Sequence, residues 1–248
     1  MESFVEIKNL VKKYKNTSNV AVDNLSLTIP KGSVFGLLGP NGAGKTTFIS
    51  MLCGLFKPNE GSIFINGKSM QTHSKECKQI IGVVPQEIAL YPTLTAWENL
   101  IFLGHMYGIK TQELKIRITN NLKLLGLYDH AHQKISTYSG GMKRRINLIA
   151  GLLHNPELLI LDEPTVGVDV QSKQAIIDYL KKLNTEMGMT ILYTSHHLSE
   201  AEEFCSNIAI IDSGKIITQG ETKLLISENN CDSIEEVYLK ITGNKFRD

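Results

Sequence analysis

No apolar run in this chain comes near the roughly 20 residues needed to cross a bilayer as a helix. The best stretch, INLIAGLL, is far shorter, so any link to a membrane is expected to run through another polypeptide. Cysteine is scarce and scattered. Cys53, Cys77, Cys205 and Cys231 form no C-x-x-C pair and no zinc-like cluster with the histidines, and reduced thiols are the simplest reading. Excess charge is lacking as well, because 26 Lys and Arg face 25 Asp and Glu. That balance gives no field favouring nucleic acid or an anionic surface, so no nucleic-acid partner is expected. The first residues, MESFVEIKNLVKKY, lack the apolar core of a secretory signal, and a cytoplasmic chain is expected. No G-x-S-x-G elbow or H-E-x-x-H helix occurs, and His130 and His132 lack the partners of a metal site.

What is present suits a full core: 248 residues with 42% hydrophobic content fit one large α/β domain or two small lobes. Residues 3 to 30 alternate apolar and polar, which predicts half-buried antiparallel strands joined by the polar turn KNTSN. Short β-rich runs follow at Val34 to Leu38, Leu158 to Leu161, Thr190 to Tyr193 and Ile208 to Ile211, with helical patterns between most of them. That alternation predicts buried, largely parallel strands. Between Gln86 and about Leu127 the β signal fades, and LTAWENLIFLGHMYG and TQELKIRITNNLKLLGL read as amphipathic helices of an inserted lobe. IAIIDSGKIITQG predicts a hairpin about Ser-Gly, and SIEEVYLKITG a last short helix.

The segment Gly39-Pro40-Asn41-Gly42-Ala43-Gly44-Lys45-Thr46, followed by Thr47, fits G-x-x-x-x-G-K-[ST] between the strand VFGLL and the helix TTFISMLCGLF. Glycines let successive N–H groups point inward, and the helix N-terminus adds positive potential, so the loop forms a cradle for phosphate oxygens. Lys45 is placed to bridge the β- and γ-phosphates, and Thr46 to give its hydroxyl to Mg²⁺.

The apolar run Leu158 to Leu161 ends in two adjacent carboxylates, Asp162 and Glu163, before Pro164. Chemistry in open α/β sheets gathers at the carboxyl ends of strands. Asp162 is suited to hold Mg²⁺ through water. Strand alternation aims Glu163 to the opposite side, where it would polarise the attacking water.

Tyr138-Ser139-Gly140-Gly141-Met142-Lys143-Arg144-Arg145 precedes the helical pattern INLIAGLLHN, with Ser139 a good N-cap and the Gly-Gly helix start a second anion site. The basic run at 143 to 145 reads as a solvated face or as decoration beside phosphate. Here the sequence resembles the nucleotide-binding domain of ABC transporters, whose signature is usually written LSGGQ; Tyr138 and Met142 depart from that spelling, while Ser139, Gly140 and Gly141 remain.

The resemblance covers nearly the whole chain and implies a P-loop α/β core with a mainly parallel sheet, an N-terminal antiparallel β subdomain and an inserted helical subdomain. Its implied limits are 1–86 with 156–220 for the core and β subdomain, 87–155 for the helical lobe with the signature helix, and 221–248 for a C-terminal extension. It implies that Tyr14 stacks on adenine, that Gln86 links Mg²⁺ and the attacking water to the helical lobe, and that Asp169 communicates with a partner cassette. It also implies that His196 contacts the γ-phosphate, with His197 a bystander. ATP would lie between the phosphate loop of one cassette and Ser139, Gly140 and Gly141 of another, so a second cassette, most simply a second copy, and an integral membrane permease are expected partners. The PQEIALYPTLTAWENLIFLGHMYGI stretch and YSGGMKRR look most like the ABC-2 group, which implies export and a place on the inner face of the cell membrane. The rival readings are a soluble cassette acting in translation or DNA repair and a small-molecule kinase; in the latter, Ser139-Gly140-Gly141 and His196 would have no task.

Overall fold

A computed structural model describes residues 2–15 and 19–243; Asn16, Thr17 and Ser18 of the expected polar turn lie outside the described residues. Packing divides the chain into two compact units, Met1–Lys78 with Gly188–Asp248, and Gln79–Met187.

In the first unit, strands β1 (Ser3–Lys13) and β2 (Val20–Pro30) pair antiparallel. A period-2 pattern buries Val5 and Ile7 on one strand and Leu25, Leu27 and Ile29 on the other, and it slips by one residue before Leu10 and after Val22, where Asn9 and Asn24 take positive φ and the register shifts. Two short strands that sequence reasoning did not pick out, β4 (Glu60–Ile65) and β5 (Lys68–Ser69), extend this sheet beyond β1. A second sheet in the same unit centres on β3 (Val34–Leu38), flanked in parallel by β8 (Thr190–Ser195) and β9 (Asn207–Asp212). Every residue of β3 and β8 is buried, which explains their continuous apolar runs: a strand covered on both faces has no polar side. The hairpin expected around Ser213-Gly214 closes this sheet's edge with β10 (Lys215–Glu221), antiparallel to β9. Helices α1 (Lys45–Leu52), α2 (Ser74–Gln79), α7 (Leu198–Phe204), α8 (Thr222–Glu228) and α9 (Ile234–Thr242) accompany these strands, α2 running up to the boundary between the units.

In the second unit, β6 (Ile81–Val84) and β7 (Leu158–Asp162) pair in parallel. Four helices make up most of the rest: α3 (Ala96–Met106), α4 (Thr111–Leu124), α5 (Gly140–Leu152) and α6 (Val170–Met187). Helix α3 starts at a capping box in which Thr95 and Glu98 satisfy each other's backbone N–H. The apolar stripe of α4, Leu114, Ile118 and Leu122, is fully buried with Leu100 of α3 and Ile149 of α5; its 4-residue spacing is the helical periodicity visible in the sequence. Fully burying each such side chain contributes about 1.5–3 kcal/mol. The architecture is an α/β P-loop NTPase fold with an antiparallel β sheet and a helical portion. Among the described residues no helix is long and apolar enough to cross a membrane, and all four cysteines are free.

Candidate functional site

The loop from Gly39 to Gly44 leaves β3 and enters α1 without a side-chain cap, because Gly44 occupies the cap position at φ 108°. A Cβ there would stand 2.5 Å from the carbonyl oxygen of Ala21, so both the backbone angle and the close approach require glycine. The loop is anchored from outside as well: Gly214 in the β9–β10 turn donates its N–H to the Ala43 carbonyl at 2.9 Å. Lys45 is 6% exposed and donates from Nζ to the carbonyls of Gly39 (2.6 Å) and Pro40 (3.1 Å), across the mouth of its own loop. A buried ammonium held by two carbonyls gives the cradle a fixed positive centre. Asn41, Gly42 and Thr46 are exposed on its rim.

Two further candidates lie in this unit. Tyr14 follows β1, with its hydroxyl 3.3 Å from Thr47 Oγ1. Phe56 meets its ring edge-on at 6.3 Å, and Lys12 Nζ stands 5.7 Å and 5.8 Å from the centroids of Tyr14 and Phe56. Sequence reasoning found Tyr14 but not these two neighbours; neither carries a local motif. His196 is half-buried and His197 exposed, just beyond β8, whose last residue Ser195 pairs with Leu38. Gly39 and His196 thus leave adjacent parallel strands at the same level.

The second unit gathers the acidic candidates. Asp162 ends β7 and Glu163 follows, at 8% and 5% exposure. Glu163 does not continue the strand, and this corrects the alternation argument for its direction: its φ is 49°, in the left-handed region that costs a non-glycine residue energy. In that conformation its carboxylate oxygen Oε2 accepts from Gln86 Nε2 at 3.2 Å. Residues separated by 77 positions are thereby brought together.

Ser139 caps α5 as expected, accepting from the N–H of Met142 at 3.2 Å. Gly140 is exposed while Gly141 is buried. A Cβ on Gly141 would overlap Ser172 Oγ and lie 2.9 Å from Asp169 Oδ2, so the start of α5 rests directly on the start of α6. Asp169 accepts from the Ser172 N–H at 2.9 Å. That bond, then the Ser172 hydroxyl, holds its carboxyl below the usual aspartate range.

The basic run does not form a solvated face. Arg144 is 6% exposed, and its guanidinium donates from Nη1 to the carbonyls of Pro85 (3.1 Å) and Gln86 (2.6 Å), with Nη2 3.5 Å from the Val166 carbonyl. Burial draws its pKa down, and the nearby Asp162 and Glu163 carboxylates push it back up. One turn along α5, the buried Asn147 donates to the Pro85 carbonyl at 3.3 Å and accepts from the Ala89 N–H at 3.3 Å. Arg145 donates to the carbonyls of Leu125 (2.9 Å) and Gly141 (3.4 Å). The sequence signal for Arg144 and Asn147 is their i, i+3 spacing on the same side of α5 as apolar residues, where a polar side chain needs a reason to be buried.

Residues 22–166 match the profile of the family described as ABC transporter. The chain is 48% identical over 239 residues to the linearmycin resistance ATP-binding protein LnrL of Bacillus subtilis (strain 168), covering 96% of this chain and 75% of that one. It is 39% identical to the Nod factor export ATP-binding protein I of Cupriavidus metallidurans, covering 95% and 77%. A dimeric ATP-binding cassette solved in a post-hydrolysis state with ADP and Pi is 30% identical and superposes with a TM-score of 0.79 over 88% of this chain and 98% of that one. The chain belongs to the ABC transporter family, as an ATP-binding, ATP-hydrolysing subunit.

Proposed function

We propose that this subunit powers export through a separate membrane permease, hydrolysing ATP with Glu163 as the residue that orients and polarises water. The observation that carries the catalytic part is the Gln86–Glu163 hydrogen bond, with Glu163 in a left-handed backbone conformation. A strained backbone at a buried carboxylate argues for function, because a structural acid would relax. In this reading Lys45 and the N–H groups of residues 41–47 hold the β- and γ-phosphates, Tyr14 stacks on adenine, and His196 meets the γ-phosphate. Glu163 accepts a hydrogen bond from water in line with the γ-phosphorus and Gln86 fixes the carboxylate; as the water oxygen bonds to phosphorus, the bond from phosphorus to the β–γ bridging oxygen breaks and the water proton passes to a phosphate oxygen, leaving ADP and inorganic phosphate.

Thr46, Asp162 and Gln86 would hold Mg²⁺. The fit rests on donor chemistry: a hydroxyl, a carboxylate and an amide oxygen are the hard ligands the ion takes. When bound, Mg²⁺ neutralises phosphate charge. Ser139, Gly140 and Gly141 would face the nucleotide of a second cassette, most simply a second copy, with Asp169 at that junction. The dimeric form of the related cassette supports this arrangement.

Export follows from the relatives: one is named for export of Nod factor and another for linearmycin resistance. These names do not favour a soluble role in translation or DNA repair. The helical lobe, within 87–155, is the proposed contact with the permease, which would hold the subunit at the inner face of the membrane. The deciding experiment compares wild type with Glu163→Gln, with and without the permease. Retained ATP binding as a stable dimer, with turnover lowered at least about 100-fold, is expected from losing a group that acts on the water. Full activity of Glu163→Gln would remove Glu163 from the mechanism.

A further inference from the structure

We propose that Arg144 is a positioning residue for hydrolysis: it ties the helix that begins with Ser139-Gly140-Gly141 to the loop carrying Gln86 and to the loop following Glu163. The inference rests on the reading of Gln86 and Glu163 above.

The argument starts with the backbone that Arg144 holds. After β6 the chain enters a loop in which Pro85 is half-buried and Gln86 exposed, and the buried guanidinium of Arg144 reaches out to the carbonyls of both. Both accept from Nη1 of Arg144, the Gln86 contact being the shorter at 2.6 Å. Asn147 braces the same loop at Pro85 and Ala89, so two side chains one helical turn apart fix it from one face of α5. The amide of Gln86, thus anchored through its own main chain, reaches Glu163 Oε2. On the other side Arg144 Nη2 faces the Val166 carbonyl, three residues after Glu163.

Guanidinium chemistry suits this task. Its planar fork presents several N–H donors at once in fixed directions, whereas an ammonium is a single centre on a flexible stem. Its charge also lies near the Asp162 and Glu163 carboxylates. Arg145, next in sequence, turns instead to Leu125 and Gly141 and serves as an internal comparison. A rearrangement at the Ser139-Gly140-Gly141 end of α5 would be felt at Gln86 through two hydrogen bonds.

The test measures ATP turnover and KM for Arg144→Ala, Arg144→Gln and Arg144→Lys, alongside Glu163→Gln, in the assembly in which the wild type turns over. Each variant's folded fraction is checked by thermal melting. Arg144→Ala should lower kcat about 10- to 100-fold with KM for ATP within about 3-fold, the size of loss expected when a catalytic group is misplaced by about 1 Å. Arg144→Gln, which keeps an N–H donor for the carbonyls, should recover much of the loss in kcat. Arg144→Lys should recover less. An Arg144→Ala kcat within about 2-fold of wild type would overturn the inference, as would a loss that follows the folded fraction or appears only in KM. If Glu163→Gln abolishes turnover while Arg144→Ala does not, the inference alone fails. If Glu163→Gln retains turnover, the reading beneath it fails and takes the inference with it.

Discussion

The phosphate loop and the Gln86–Glu163 cluster are built on opposite plans. The loop is nine consecutive residues shaped by local backbone: Gly44 at φ 108° turns it, and its one long cation, the Lys45 side chain, closes on carbonyls of the same loop, Gly39 and Pro40. The cluster draws on Gln86, Arg144, Asn147 and Glu163, scattered over 77 positions of sequence, and its parts are joined by side chains reaching backbone or one another. Damage to the first should therefore show as lost binding, and damage to the second as lost turnover with binding kept.

Lys45→Ala is the strongest way to break that contrast. Removing a charge-assisted donor that would serve the phosphates is worth about 1.5–3 kcal/mol, so ATP affinity should fall roughly 10- to 100-fold, as read by titration calorimetry. An affinity within about 2-fold of wild type would show that the backbone alone carries the phosphates.

Gly141→Ala sharpens the other side. The added methyl would overlap Ser172 Oγ, and such overpacking costs about 1–3 kcal/mol. Urea unfolding should register that loss, whereas Gly140→Ala, whose Cβ meets nothing nearer than the Gly167 carbonyl at 3.6 Å, should lose less. Equal losses would remove the close α5–α6 contact as the reason for glycine at 141.

The smallest effect belongs to a residue of the second unit outside the cluster. His154 lies 2.9 Å from the Ile81 carbonyl through Nε2, while its buried Nδ1 has no partner. Burial lowers its pKa, partly offset by the Ile81 carbonyl, with Arg117 adding to the lowering. The folded state thus holds it neutral while the unfolded chain takes up a proton, so this contribution is present above the unfolded value of about 6.5 and declines as pH falls below it. The urea midpoint should drop between pH 7.5 and 5.5, and less so in His154→Gln. An unchanged pH slope in that variant would assign the drop elsewhere.

Legibility in the sequence followed the same division. The phosphate loop, the β7 acids and the α5 cap were visible because each is a contiguous string in a strand-to-loop or loop-to-helix setting. β1, β2, α3 and α4 were visible because their periods are long enough to read. β4 was not: it offers only Ile63 and Ile65 as buried alternating positions. Arg144 looked like one of three surface cations, since a basic run does not say which of its members turns inward; only the placement of the Pro85 and Gln86 carbonyls does. Glu163 was found, but for a reason that needed correcting, because extended alternation stops at Asp162.

The left-handed backbone of Glu163 has a consequence for anyone seeking a sturdier protein. A glycine, or to a lesser degree an asparagine, fits φ 49° more comfortably than glutamate does, so a search guided by stability alone would favour replacing the very residue on which turnover is proposed to depend. On that proposal, glutamate at this position pulls thermostability and activity in opposite directions. Glutamine carries much the same backbone penalty as glutamate, which makes it a clean chemical substitution, while glycine would change conformation and chemistry together.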